Sequence, residues 1–417
     1  MEGVILSLAL LIFLAHLFSA LFVKTRVPEV LPLMLLGIII GPILKIVSSA
    51  DFGMVDKVFT RILLIVILFE SGLGIRISHI RGAWIQSSRM TLIGFPAIMF
   101  AVAVLARVAL GIPFAYCLIL GCVLAENSFA VIIPLISKLN ISNNIKTLLL
   151  VESTAGSVLA IAGATTMLHM ARSASFSPSG IIAGILYNFS ISFIIGTAAA
   201  VFWTAVLSNV RKLENCIFLT LAFVLVVYSA CEAAGADGVI GSFIFGIIAG
   251  NIRIIRKLHG FRFIEFFISN AKSKAFNEVE KSFFAEVVFI LRTFFFVYIG
   301  ICMHINSLTS MFYGILFTTI IFLVRIPMAN YALGRSINRA DTAVVAAMAP
   351  KGLVTAVLAS LVMQSGIAGT DTLQDIIYSV ILFSIIFSTI FAFLIEKGYI
   401  AKTINFIFKR HIDTMAE

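Results

Sequence analysis

Two carboxylic acids, Glu126 and Glu152, interrupt apolar stretches of the segment Gly121–Ser157, GCVLAENSFAVIIPLISKLNISNNIKTLLLVESTAGS. An acid at the centre of a bilayer costs about 2.5–3.5 kcal/mol on insertion scales, so it faces a protein interior or a watery cavity and marks an ion or proton path. Glu126 runs directly into Asn127 and Ser128, and Pro134 follows. Polar side chains and a proline weaken a helix and free backbone groups. That is the pattern of a broken helix that builds a transport site near the membrane midplane. The oxygens of Glu126, Asn127 and Ser128 can join the shell of a hard cation.

The elements that must carry these residues follow from composition. Of 417 residues, 61% are hydrophobic and 12% charged, which no soluble domain of this size matches. Apolar runs of about 20 residues, the length of a spanning helix, recur at 3–23, 30–49, 58–75, 90–110, 113–137, 147–171, 180–208, 215–234, 237–253, 286–304, 309–333, 342–365 and 375–396. They do not alternate as barrel strands do. The expected fold is an all-α polytopic membrane protein of about thirteen transmembrane helices, one domain over 1–417.

Lys and Arg orient it. Of the 30, 22 lie in odd-numbered loops and the C-terminal tail, and four (Lys45, Lys57, Arg107, Arg172) in or beside even-numbered loops. Cytoplasmic loops collect these residues. The N-terminus is therefore expected outside and the C-terminus in the cytoplasm, in the cell (plasma) membrane. The net charge of +10 then reflects basic loops, and no nucleic acid partner is expected. Arg61, Arg292, Arg325 and Lys351 lie within spans. Met1–Val23 has neither a basic leader nor a small-residue cleavage site and is expected to remain as the first helix.

The loop 254–285 mixes apolar and charged residues at helical spacing, as an amphipathic helix on the cytoplasmic surface does. No glycine-rich phosphate loop occurs, and about twenty residues follow the last span. An ion gradient is thus the expected energy source, without ATP and without a cofactor. No Ser/His or HExxH constellation points to an enzyme. Cys117, Cys122, Cys216, Cys231 and Cys302 form no CxxC pair and read as small buried hydrophobes. The GxxxG spacings Gly37/Gly41 and Gly246/Gly250 are expected at close helix contacts. Glu232 and Asp237 flank a short turn and are expected to be solvated, Glu70 to snorkel, and His169 and His304 to be interfacial.

The ordered motifs LGIIIGP (36–42), LFESGLGI (68–75), VES (151–153), DGVIGSFIFGIIAGN (237–251), RTFFFVYIGI (292–301), VRIP (324–327) and MAPKGLVTAVLAS (348–360) resemble the monovalent cation:proton antiporter superfamily, the sodium/proton exchangers. The resemblance implies two six-helix inverted repeats, 1–171 and 215–396, a linker helix at 180–208 and a cytoplasmic tail at 397–417. It also implies a homodimer in the lipid bilayer that exchanges a monovalent cation, Na+ or K+, for protons by alternating access. Spans 5 and 12 cross in opposite directions, as inverted repeats require. Both are interrupted, by Asn127–Ser128 and by Pro350–Gly352.

Two motifs depart from the family pattern. Where helix 5 of the family carries Thr-Asp-Pro or Thr-Ser-Pro, this chain has Asn127, Ser128 and Phe129; where helix 6 ends its motif in Asn-Asp or Asp-Asp, it has Gly156 and Ser157. The aspartate that takes cation and proton in turn is thereby replaced by a hydroxyl, which can ligate a cation but cannot carry a proton at neutral pH. The resemblance adds Ser153 and Ser157 to the ion-binding candidates. It also makes Glu152, Arg292, Arg325 and Lys351 a structural charge group. Glu152 is expected to pair with Arg325 or Lys351, because buried charges persist when paired. Lys351, at a helix break, can offset the partial charges of exposed helix ends.

Three functional readings follow: an antiporter in which Glu126 replaces the lost acid, an uncoupled pathway for a cation or another solute on the same fold, and a degenerate member that transports nothing. On an ideal helix Glu126 lies about 200° round from the aligned acidic position two residues later. The first reading therefore requires an unwound backbone there.

Overall fold

A computed structural model describes residues 2–25, 28–48, 53–75, 84–137, 139, 141–172, 177–211, 217–255, 276–304, 307–334, 337–363 and 370–408. Among these the chain is helical. In order the helices are α1 (Glu2–Thr25), α2 (Val30–Ile43), α3 (Gly53–Gly74), α4 (Trp84–Leu110), α5a (Phe114–Ala125), α5b (Phe129–Ser137), α6 (Asn143–Arg172), α7 (Pro178–Val210) and α8 (Ile217–Ala233). There follow α9 (Gly238–Ile255), α10 (Glu278–Cys302), α11 (Leu308–Ala332), α12a (Arg339–Ala347), α12b (Leu353–Met363), α13 (Thr370–Glu396) and α14 (Ala401–Ile407). Among the described residues seven helices are long and apolar enough to cross a bilayer alone, with α5a and α5b taken together, and shorter apolar helices accompany them. The chain is a multi-pass α-helical membrane protein.

Helix boundaries have local causes. Ser307 caps α11 by accepting from the Ser310 N–H at 3.3 Å, and Asn338 caps α12a by accepting from Ala340 at 3.1 Å. Gly111 ends α4 in a left-handed conformation, φ 67°, open to glycine at no steric cost. In α2 and α4 the helix widens to a π turn, at Ile39–Ile43 around Pro42 and at Met90–Gly94 just before Pro96. Proline lacks the N–H that a regular turn needs, and the wider turn accommodates that loss.

The chain divides into two compact units. One comprises Met1–Gly53, Gly82–Ser175 and Thr293–Glu417; the other comprises Met54–Arg81 and Phe176–Arg292. Each draws on both the early and the late part of the sequence. In the second unit, α3 and α9 pack backbone to backbone. A Cβ on Gly250 would stand 2.7 Å from the Leu73 carbonyl, and one on Gly246 would run into the Phe69 carbonyl. Phe69 stacks on Phe245 and meets Phe284 edge-on, each with centroids 5.1 Å apart. Arg211, just past α7, grips Glu280 at the start of α10 through two bonds of 2.8 and 2.6 Å. In the first unit, Gly37 and Gly41 of α2 meet the end of α10, where Cβ atoms would come within 2.9 Å of Gly300 Cα and 2.7 Å of Ile301 Cα. Both GxxxG pairs thus stand at helix contacts.

Two readings of the sequence change, and a third segment gains a helix. Asp237 is buried, because its carboxylate caps α9 by accepting from the N–H groups of Val239 and Ile240 at 2.9 and 3.2 Å. The loop 254–285 already belongs to α10 from Glu278, while 256–275 lie outside the described residues. In the segment 397–417, α14 forms and packs on α12a, with Ile404 and Phe408 buried. The described cysteines, Cys117, Cys122, Cys231 and Cys302, are buried free thiols; Cys216 lies outside the described residues.

Candidate ion-binding site

The site lies wholly within the first unit, where two helices are broken. α5a stops at Ala125, Glu126 turns extended (φ −66°, ψ 145°), and helix resumes at Phe129. α12a stops at Ala347, Met348 leaves the helix (φ −91°, ψ 78°), and α12b begins at Leu353. The two gaps hold each other: the Ser128 N–H donates to the Pro350 carbonyl at 2.7 Å. Gly352 must be glycine at this crossing, because a Cβ there would stand 2.5 Å from the Cβ of Ser128 and collide with its hydroxyl.

Every break frees backbone groups that hydrocarbon cannot satisfy. Here side chains take them up. Ser384 of α13 accepts from the Lys351 N–H at 2.9 Å, and Ser388, one turn on, accepts from Ala349 at 3.3 Å. The Lys351 ammonium donates to the Glu126 carbonyl at 2.7 Å and to Asn127 Oδ1 at 2.9 Å. That puts a positive charge on the carbonyl end of α5a, the end of partial negative charge.

Around this crossing runs one connected set of charged and polar groups. Arg325 of α11 donates through both terminal nitrogens to the Glu152 carboxylate of α6, at 2.6 and 3.0 Å, and through Nε to the Val345 carbonyl at 2.9 Å. Asn127 Nδ2 donates to Glu152 Oε1 at 3.1 Å. The two ends of Asn127 therefore have fixed roles, since ammonium only donates and carboxylate only accepts. Arg325, Lys351, Glu126 and Glu152 are 1%, 0%, 1% and 6% exposed. At this burial an unmatched charge is not tolerated, and two acids stand with two bases.

Glu126 has a separate set of partners. Its Oε1 accepts from the Ser157 hydroxyl of α6 at 2.9 Å, and its Oε2 from the Thr355 hydroxyl of α12b at 2.6 Å. Thr355 lies in the first turn of α12b, so the carboxylate also sits beside the positive end of a helix. The unwound backbone at 126–128 is what swings Glu126 onto Ser157.

The structure thus brings together Glu126, Asn127, Ser128, Glu152, Ser157, Arg325 and Lys351. Ser153 is buried beside them, but its hydroxyl donates to the Leu150 carbonyl at 3.1 Å within α6. Arg292 belongs to the other unit, where its guanidinium lies 6.0 Å from the centroid of Phe289. Thr355, Ser384 and Ser388 were not among the candidates. For Ser384 and Ser388 the sequence signal is polar residues at one-turn spacing on an otherwise apolar helix; Thr355 carries no such signal.

A family model described as sodium/hydrogen exchanger, transmembrane, matches residues 9–397. The chain belongs to the sodium/hydrogen exchanger family. It is thereby a member of the monovalent cation:proton antiporters, whose members are transporters rather than enzymes, with cation and proton as substrates. Among solved structures the exchanger is similar to the sodium proton antiporter MjNhaP1 from Methanocaldococcus jannaschii at pH 8, with 21% identity, 95% of this chain and 99% of that chain covered, and a TM-score of 0.76. An electron-microscopy structure of MjNhaP1 gives 21% identity, 96% and 99% coverage, and a TM-score of 0.73. At that identity the likeness is one of fold. A search of curated proteins finds no match.

Proposed function

We propose that this exchanger carries a monovalent cation, Na+ or K+, against protons by alternating access, with Glu126 as the group that holds cation and proton in turn. The observation that carries the proposal is the 2.9 Å bond between the Glu126 carboxylate and the Ser157 hydroxyl. Ser157 occupies the position at which the family motif has its aspartate. That bond supports a carboxylate delivered to the same point from the break in α5 instead of from α6. Glu152 is committed to Arg325 and serves the scaffold, while Asn127, Ser128 and Ser153 are the neighbouring ligand candidates. Lys351 and Arg325 hold the two breaks in register, and Arg292 belongs to the charge group only by its family position.

The same reading assigns 1–171 and 215–396 to inverted repeats, 180–208 to a linker and 397–417 to a cytoplasmic tail. Gaps at matching positions of α5 and α12 support it. Homodimerisation and a plasma-membrane location with the N-terminus outside complete the proposal; the Lys and Arg distribution supports that orientation.

The test is dye-reported proton movement in proteoliposomes on addition of Na+, Li+ or K+. The proposal predicts reversible proton release from acid-loaded vesicles with at least one cation. A silent protein with all three would leave the fold without this activity.

A further inference from the structure

Resting on Glu126 as the carrier, we infer that Thr355 is a direct ligand of the transported cation and the residue that sets which alkali cation the site prefers. Three separately positioned elements meet at the Glu126 carboxylate, and each of its oxygens carries one hydroxyl, Ser157 on Oε1 at 2.9 Å and Thr355 on Oε2 at 2.6 Å. Both hydroxyls are buried, Ser157 at 5% and Thr355 at 0% exposure. A hydroxyl has one proton and two lone pairs. Here both donate to the anion. Rotation about the Cβ–O bond turns a lone pair to the same point, so the two groups that hold the bare carboxylate can also coordinate the ion that joins it. For Ser157 the released proton has an acceptor in place, the Ser153 carbonyl at 3.0 Å.

Thr355 differs from Ser157 in where it is anchored. It stands on α12b, whose position relative to Glu126 is fixed by the Ser128–Pro350 bond and by the contact of Gly352 with Ser128. The gap between the carboxylate and Thr355 is thus set by a rigid crossing of two backbones. Selectivity among cations depends on cavity size, ligand number and flexibility. A rigid gap closed by a hydroxyl from the opposite broken helix is the size-determining part of this shell.

The experiment measures KM and Vmax for Li+, Na+ and K+ in proteoliposomes of the full-length parent, Thr355→Val, Thr355→Ser and Glu126→Gln. Thr355→Val is expected to raise KM about tenfold for the preferred cation and to change the order of the three. Thr355→Ser, which keeps the oxygen, is expected to retain the parent's order. If the Val protein fails to fold, Thr355→Ala carries the same comparison. Parental KM values and cation order in the Val or Ala protein, with Glu126→Gln inactive, overturn the inference and leave the carrier assignment standing. Exchange retained in Glu126→Gln overturns the assignment on which it rests.

Discussion

Replacing Glu152 with Gln tests whether the Glu152–Arg325 pair is scaffold or machinery. Arg325 is 1% exposed and places two of its donors on this carboxylate, at 2.6 and 3.0 Å. Glutamine keeps one acceptor oxygen but turns an amide donor toward a guanidinium that only donates, and leaves its charge uncompensated. Breaking a buried pair from one side costs about 3–5 kcal/mol. Asn127, which donates to Glu152 at 3.1 Å, loses a charged acceptor as well. Thermal unfolding in detergent, followed by size-exclusion chromatography, should show a clear fall in midpoint for Glu152→Gln and for Arg325→Gln. The double variant Glu152→Leu with Arg325→Met replaces both charges with apolar side chains and should recover most of the loss. A Glu152→Gln protein as stable as the parent yet inactive in transport would refute the reasoning and make Glu152 the carrier.

Gly352→Ala forces a Cβ onto Ser128 and should abolish expression or lower the melting midpoint more than Gly74→Ala, where a Cβ meets nothing within 4 Å. Ser384→Ala removes the acceptor of the buried Lys351 N–H. It should cost about 1–3 kcal/mol, read by detergent melting, with a smaller loss for Ser388→Ala, whose bond is 3.3 Å. Cysteine labelling in intact cells should find position 270 protected from an impermeant reagent and position 176 reactive; the reverse would invert the topology.

Much of the architecture could be read from local chemistry. Apolar runs located the helices because water and hydrocarbon sort residues without regard to tertiary contacts; the run 180–208 lies inside α7, for example. The breaks were legible because Asn127 and Ser128, and Pro350 and Gly352, are poor helix formers in an apolar context. The start of α10 escapes the sequence reading, which assigns Glu278, Glu280 and Lys281 to an amphipathic cytoplasmic helix and begins the span at 286. Yet Asn277 and Glu280 form reciprocal bonds of 2.7 and 2.8 Å, a capping box that Asn-x-x-Glu announces. Asp237 was misjudged for a related reason, since a capping acid needs backbone donors rather than water. Thr355 was out of reach. Its partner Glu126 lies 229 residues away, and a threonine in an apolar helix gives no sign of which distant helix will cross it.

The central claim is that the exchanging carboxylate belongs to Glu126. Its most direct test is cation-driven proton flux in proteoliposomes of Glu126→Gln and Glu126→Asp, with detergent melting as the control for folding. The account predicts a folded Gln protein with no cation-dependent flux, and an Asp protein that still exchanges with an altered pH profile. Parental flux in the Gln protein would contradict it.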